Sequence, residues 1–294
     1  MATTSQWIEG ARPRTLPAAI APVLAGTGVA VHADSVVWWK AGLALVVALA
    51  LQVAVNYAND YSDGVRGTDT ARVGPLRLVG SGAASPRQVK RAAFASFGGA
   101  AVAGLALAAT TAWWLVVVGA VAMVAAWFYT GGANPYGYHA LGEIGVFVFF
   151  GLVAVMGTAY VQTESFAAGV GWLSAALGTG VGALACTILV ANNLRDIPTD
   201  ELVGKRTLAV VLGDGKTRGL FASLHGVAYA VAGVVAGLTT WWLMLALLAL
   251  PLSGRALAVV RRRAAGPDLI PVLKDTGLAG LIYATGLFAG FLIA

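Results

Sequence analysis

The chain has 294 residues, of which 59% are hydrophobic and only 11% charged, with a net charge of +6. A soluble domain carries about twice that charged fraction, so a soluble globular protein is excluded and a polytopic membrane protein is expected. The positive charge is not gathered into basic runs with interleaved aromatics, which excludes nucleic acid as a partner, and the single cysteine, Cys186, leaves no internal disulfide to expect.

Residues 1–15 are polar and lack a small-residue cleavage site behind a short apolar core. No removable signal peptide is expected, and the first span should act as its own insertion signal. Apolar runs near the roughly twenty residues that a bilayer requires predict spans at about 16–31, 36–57, 92–109, 113–130, 144–161, 170–192, 220–238, 241–260 and 278–294. Pro17 and Pro22 predict an irregular start to the first span. A Gly-containing polar stretch reaches from the second span to about Arg91. It is too long for a tight turn, which suggests a functional loop or lid. The short joint between the third and fourth spans allows only an antiparallel hairpin. Residues 131–143 (GGANPYGYHALGE) form a Gly/Pro/Tyr loop. After the sixth span a second polar stretch reaches about Arg218. Within it, 213–219 (GDGKTRG) loosely resembles a phosphate loop, but no strand precedes it, so it is read as a loop entering the seventh span. The fold class expected is all-α: a bundle of about nine transmembrane helices around a central cavity. The expectation is one domain over 1–294, with two pseudo-related halves at about 1–140 and 141–294.

The charges orient the bundle independently. With an odd number of spans and a cytoplasmic N-terminus, every one of the 19 Lys and Arg residues except Lys40 falls on the cytoplasmic side. That is a strong positive-inside signal. Trp38, Trp39, Trp113, Trp114, Trp241 and Trp242 then lie at the opposite interface, as an aromatic belt. A multi-pass protein of the cell membrane is expected, with its N-terminus and its site in the cytoplasmic leaflet.

Two polar stretches at span ends carry the chemistry. The first is 56–69 (NYANDYSDGVRGTD) and the second 192–206 (NNLRDIPTDELVGKR). Each follows a long apolar run, where carboxylates are expensive and are functional candidates by default. In each, an Asn stands four residues before an Asp: Asn56 before Asp60, and Asn192 before Asp196. A second Asp, Asp63 or Asp200, follows within about a turn, so each pair shares one helix face. Pro198 makes a regular helix doubtful in the second stretch. Paired carboxylates repel, and a hard divalent cation relieves that repulsion. Mg2+ takes one or two carboxylates together with phosphate oxygens and water. Asn56, Asp60, Asp63, Asp196 and Asp200 are therefore candidate metal ligands, with Asn192 beside them. Lys205, Arg72 and Arg77 follow the clusters and could neutralise a diphosphate. The bland alternative is two solvated acidic loops, which does not explain why Asn and Asp recur together. Arg87, Lys90, Arg91 and the arginines at 261–263 read as topology signals. Glu143 either orients a polar substrate or sits at the interface. Tyr129, Tyr136 and Tyr138 either line an aromatic pocket or anchor the interface. The three histidines have no metal-ligand spacing, and no Ser-His-Asp set is present.

These stretches, with 11–18 (ARPRTLPA), 73–82 (VGPLRLVGSG) and 134–151 (NPYGYHALGEIGVFVFFG), resemble the UbiA superfamily of intramembrane prenyltransferases, and within it the branch acting on 1,4-dihydroxy-2-naphthoate. The resemblance covers nearly the whole chain. It implies a nine-helix bundle with a cavity open to lipid, a Mg2+ cofactor, and a polyprenyl diphosphate donor entering from the bilayer. It further implies that 1,4-dihydroxy-2-naphthoate is prenylated at its carboxyl-bearing carbon with loss of carbon dioxide, giving demethylmenaquinone. It places the metal on Asn56, Asp60, Asp63, Asp196 and Asp200, with Lys205, Arg72 and Arg77 at the diphosphate; Glu143, Tyr136 and Asn192 stay candidate substrate contacts from the residues alone. The wider superfamily often has another Asp where this chain has Gly67, with Asp69 two residues on. Two alternatives remain from the residues themselves: another acceptor such as 4-hydroxybenzoate or a sugar phosphate, and a cation-coupled secondary transporter. The transporter is disfavoured because the acids stand at span ends and not mid-span.

Overall fold

The structure, a computed structural model, describes residues 2–67 and 76–294. Asp69 and Arg72 lie outside the described residues. The expected all-α architecture is present, in ten helices among the described residues. A short first helix, α1 (Thr4–Gly10), begins at a capping box in which Thr3 and Gln6 satisfy each other's backbone N–H groups. Nine apolar helices follow. They are α2 (Pro17–His32), α3 (Trp38–Arg66), α4 (Pro86–Ala109), α5 (Trp114–Phe128), α6 (Gly142–Thr163), α7 (Val170–Leu202), α8 (Leu208–Leu238), α9 (Trp241–Arg261) and α10 (Gly266–Ile293). Seven are long and apolar enough to cross a bilayer by themselves, α2 joins them when counted with the bent segment before it, and α5 is shorter. They correspond one to one with the expected spans.

Several boundaries differ from expectation, each for a local reason. α3 and α7 continue past the ends of their apolar runs, so both acidic stretches are helical. α3 stops only where Gly67 takes a left-handed conformation (φ 75°). α7 runs through Pro198 without ending. One lost backbone hydrogen bond near a helix terminus is tolerable, and the Thr199 hydroxyl donates to the Asp196 carbonyl at 2.9 Å. The expected loop at 213–219 is instead part of α8, which starts at the Thr207 cap and breaks locally at Gly213 (φ 74°, ψ 168°). Beyond the break, Thr217 donates to the Gly213 carbonyl at 2.8 Å and Arg218 pairs with Asp214 at 2.7 Å, both of which favour helix. The polar N-terminal stretch holds α1 and a short 3-10 turn, Pro13–Thr15.

The side-chain contacts define two chemically distinct ends of the bundle. At one, Lys40 at the start of α3 is buried and donates to the Thr110 carbonyl, the Thr111 hydroxyl and Glu164, at the ends of α4 and α6. Exposed tryptophans open the odd-numbered helices there: Trp38, Trp114, Trp172 and Trp241. The acidic ends of α3 and α7 lie at the other end. The core between them is built from small residues that let backbones touch. A Cβ on Gly151 of α6 would stand 2.6 Å from the Gly178 carbonyl and 2.7 Å from Gly182 Cα of α7. Gly151 lies in a π-helical stretch, Phe147–Val153, in the middle of α6. Gly286 and Gly290 of α10 meet α9 backbone just as closely. The main apolar core unites α2, α6, α7, α8, α9 and α10, and a second one joins α3 to α4.

Candidate active site

A cavity of about 950 Å³ opens among α2, α3, α4, α5, α6, α7 and α10. One part is lined by Val23, Ala44, Leu107, Leu115, Phe149 and Phe150. The other carries polar groups from both acidic stretches: Asn59 and Asp63 from α3, Asn192, Asn193 and Arg195 from α7, with Arg77 and Lys205 from the segments that follow. The four motif aspartates, Asp60, Asp63, Asp196 and Asp200, are 1%, 5%, 6% and 7% exposed. Charges so deeply placed need compensation, and each finds it differently.

On α3 the four-residue spacing sorts the polar groups into two sets. Asn59 and Asp63, four apart, reach the cavity and the segment joining α5 to α6: Asn59 accepts from Thr130 at 2.8 Å, and Asp63 accepts from the Tyr138 hydroxyl at 2.7 Å. Asp63 also lies 3.6 Å from Arg77. Asn56 and Asp60, again four apart, bind a cover over the site, with Asn56 also lining the cavity. Asn56 donates to the Ala11 carbonyl at 2.8 Å and to Thr15 at 3.0 Å, and accepts from Gln52 at 3.3 Å. Asp60 accepts the backbone N–H groups of Leu78 at 2.7 Å and Val79 at 3.0 Å. The two parts of the cover interlock. Glu9 accepts from Leu76 N–H at 3.3 Å, Tyr57 donates to the Trp7 carbonyl at 2.9 Å, and Leu78 sits on Gly10, where a Cβ would meet it at 2.7 Å. A Cβ on Gly64 would collide with Val79, so glycine there lets this segment dock.

On α7, Arg195 forms two hydrogen bonds to Asp196, at 2.6 and 2.7 Å, and one to Asn192 at 2.8 Å. Lys205 stands 3.7 Å from Asp200. Tyr138 joins the two sides. Its hydroxyl holds Asp63, its ring lies 5.0 Å from the Lys205 ammonium and 5.4 Å from the Arg66 guanidinium, and its carbonyl accepts from Arg206 N–H at 3.1 Å. Arg66 in turn donates to the carbonyls of Thr130 and Gly132.

The aromatic edge of the cavity is formed by Tyr129 and Tyr136, whose rings meet edge-on at 5.5 Å. Burial pushes the Tyr136 hydroxyl up to about 12. Burial, with the nearby Glu143, Tyr136, Asp63 and Asp200, drives Tyr129 higher still. Both are neutral donors at any working pH. Glu143 lies behind this wall, buried, and accepts from Asn193 at 3.0 Å.

Of the residues singled out in the sequence, Asn56, Asp63, Arg77, Tyr136, Asn192 and Lys205 line the cavity, Asp196 and Asp200 pair with its lining residues Arg195 and Lys205, Asp60 and Asn56 bind the cover, and Glu143 acts through Asn193. Tyr138 was legible only as one tyrosine among three. Asn59, Asn193 and Arg195 were masked by their neighbours, although Asn59 does stand four residues before Asp63. Among the described residues no three His, Cys, Asp or Glu side chains form a metal site by themselves. The donors present are carboxylate and amide oxygens. That set fits a hard cation which completes its shell with phosphate oxygens and water.

Residues 19–269 match the UbiA prenyltransferase family. The 1,4-dihydroxy-2-naphthoate octaprenyltransferase of Mycobacterium tuberculosis is 57% identical over 284 residues, covering 97% of this chain and 96% of that protein. A UbiA homolog from Aeropyrum pernix K1 has a similar fold, with a TM-score of 0.71 at 16% identity, over 94% of this chain and 97% of that one. A UbiA homolog from Archaeoglobus fulgidus bound to GPP and Mg2+ matches with a TM-score of 0.64 at 14% identity, over 98% and 99% of the two chains. With the family match over most of the chain and a relative this similar over its full length, the chain belongs to the UbiA prenyltransferase family and is a multi-pass membrane protein.

Proposed function

We propose that this protein transfers a polyprenyl group from a polyprenyl diphosphate to 1,4-dihydroxy-2-naphthoate. The observation that carries the reading is one continuous cavity in which the buried carboxylate of Asp63 and the cations Arg77, Arg195 and Lys205 adjoin an apolar chamber. A diphosphate with a hydrocarbon tail needs both. The mycobacterial relative supports the acceptor by its name.

The roles of the chain's own groups follow from their chemistry. Asp60, Asp63, Asp196 and Asp200, with Asn56 and Asn192, would hold Mg2+ through their oxygens, Asp60 and Asn56 also binding the cover. Bound Mg2+ supplies positive charge against the diphosphate oxygens as the leaving charge develops. Lys205, Arg77 and Arg195 donate to the remaining oxygens. The allylic C–O bond breaks and its electron pair leaves with the diphosphate. Apolar walls keep water from the allylic cation. The carboxyl-bearing ring carbon forms the new C–C bond. The bond to the carboxylate then breaks, carbon dioxide leaves, and the electron pair restores the aromatic ring. The product is the prenylated naphthohydroquinone, the reduced form of demethylmenaquinone.

The same reading places the polar end in the cytoplasmic leaflet of the cell membrane. It is supported by Lys40, the single Lys or Arg at the opposite end among the described residues, which is ion-paired with Glu164 at 2.6 Å, and by the tryptophans around it. The test is a purified-enzyme assay with labelled prenyl diphosphate. Prenylated product from dihydroxynaphthoate, dependent on Mg2+ and needing no ion gradient, is the expected outcome. Faster turnover of 4-hydroxybenzoate, or no diphosphate release without a gradient, would refute it.

A further inference from the structure

One buried acid has no place in the diphosphate chemistry. Glu143 is 8% exposed, at the start of α6, and does not itself line the cavity. Its Oε1 accepts from Asn193 Nδ2 at 3.0 Å. Its Oε2 is buried and has no hydrogen-bond partner among the described residues. Asn193 does line the cavity, beside Tyr129 and Tyr136. A carboxylate accepts and never donates, whereas an amide has one accepting and one donating end. By holding the donating end, Glu143 fixes the rotation of the Asn193 amide. The end left for the cavity is the carbonyl oxygen, Oδ1. Flipping the amide would point that oxygen at the carboxylate and strip Glu143 of its donor.

We infer that Glu143 and Asn193 form an acceptor-recognition subsite: Asn193 Oδ1 accepts a hydrogen bond from a ring hydroxyl of the aromatic acceptor, and Glu143 is the positioning residue that holds it in that orientation. This rests on the reading that the acceptor is a hydroxylated aromatic. It adds what that reading lacked, a group that counts the hydroxyls. Tyr129 and Tyr136 supply the aromatic edge on which such a ring lies. A site built to pair with a substrate hydroxyl rejects the analogue without it, because its own polar group is then buried unpaired. Glu143 and Asn193 adjoin the polar end of the cavity but are none of the groups assigned to the diphosphate, so their effects should appear in one substrate and not the other.

The experiment pairs enzyme variants with acceptor analogues. Glu143→Gln lets the new amide donate to Asn193 and frees Asn193 to turn its NH2 into the cavity. Asn193→Leu removes the acceptor oxygen with little change in size. In both, KM for 1,4-dihydroxy-2-naphthoate should rise roughly tenfold, while KM for the prenyl diphosphate and the Mg2+ requirement stay within about twofold. The wild type should turn over 1-hydroxy-2-naphthoate or 4-hydroxy-2-naphthoate less well than the dihydroxy compound. With the analogue that lacks the recognised hydroxyl, the variants should show no further loss. Equal losses with all three acceptors, or parallel rises in both substrates' KM, would overturn the inference and mark the pair as structural. Wild-type inactivity with every naphthoate would instead refute the proposed function.

Discussion

The Tyr138 hydroxyl donates to Asp63 Oδ1 at 2.7 Å while the same ring carries the Lys205 ammonium 5.0 Å from its centre. One side chain between α5 and α6 thus sets the distance between the first acidic helix and the base that follows the second. Tyr138→Phe keeps the ring and removes the hydrogen bond. A bond to a carboxylate is worth about 1.5–3 kcal/mol. The expected result is a roughly tenfold or greater loss in kcat/KM for the prenyl diphosphate and a higher Mg2+ requirement, with acceptor KM unchanged. Unchanged Mg2+ dependence would show that Tyr138 does not position Asp63.

The cover makes a separate prediction. Asp60 accepts two backbone amides, and Gly64 leaves room for Val79. Gly64→Val should therefore lift the segment at 76–79 without touching any carboxylate. Arg77 is only 9% exposed in the docked state. Trypsin should cleave after it several-fold faster in the variant, and activity should fall in step. Cleavage at the wild-type rate would show that docking does not depend on this contact.

The architecture was legible because apolar run length reports spans directly, and the tryptophans and bases at opposite helix ends report their direction. Asp63, Asp196, Asp200 and Lys205 were legible because charge at a span end has few bland explanations. What the sequence could not show was rotation. Asn56, Asn59, Asp60 and Asp63 all lie within two turns, and only the packing of α1 and of residues 76–79 against α3 decides which pair faces the cover. The helical start of α8 was hidden for a related reason: Gly213 and Gly215 read as loop, whereas Thr207 caps a helix before them. Tyr138 was hidden because its meaning lies in partners 75 residues away in one direction and on the far side of α7 in the other.

Packing in the membrane gives a third prediction. Gly151 lies in the π-helical stretch of α6 in backbone contact with α7. Gly151→Val should push the two helices apart and lower stability by about 1–3 kcal/mol, read as a lower Tm in detergent. A Tm equal to wild type would mean that this contact yields more readily than the distances indicate.

Tyr136 carries a pH signature. Burial raises its hydroxyl from the ordinary value near 10 to about 12. A raised acid favours the folded state while it stays protonated. Its contribution is therefore full below about pH 10 and is lost as pH rises through about 12. Absorbance titration of wild type against Tyr136→Phe should show this phenol ionising well above pH 10. Ionisation near 10 would mean that the ring meets water freely.

The central claim is that the acidic ends of α3 and α7, far apart in sequence, grip one diphosphate together. It is tested most directly by Mg2+-dependent binding of a prenyl diphosphate to purified Asp63→Ala, Asp196→Ala and the double variant, each shown to be folded by its Tm. The account predicts that either single substitution lowers affinity by more than about tenfold, and that the double costs much less than the product of the two, because each alone already breaks a shared site. Fully multiplicative losses, or near wild-type binding in either single variant, would contradict it.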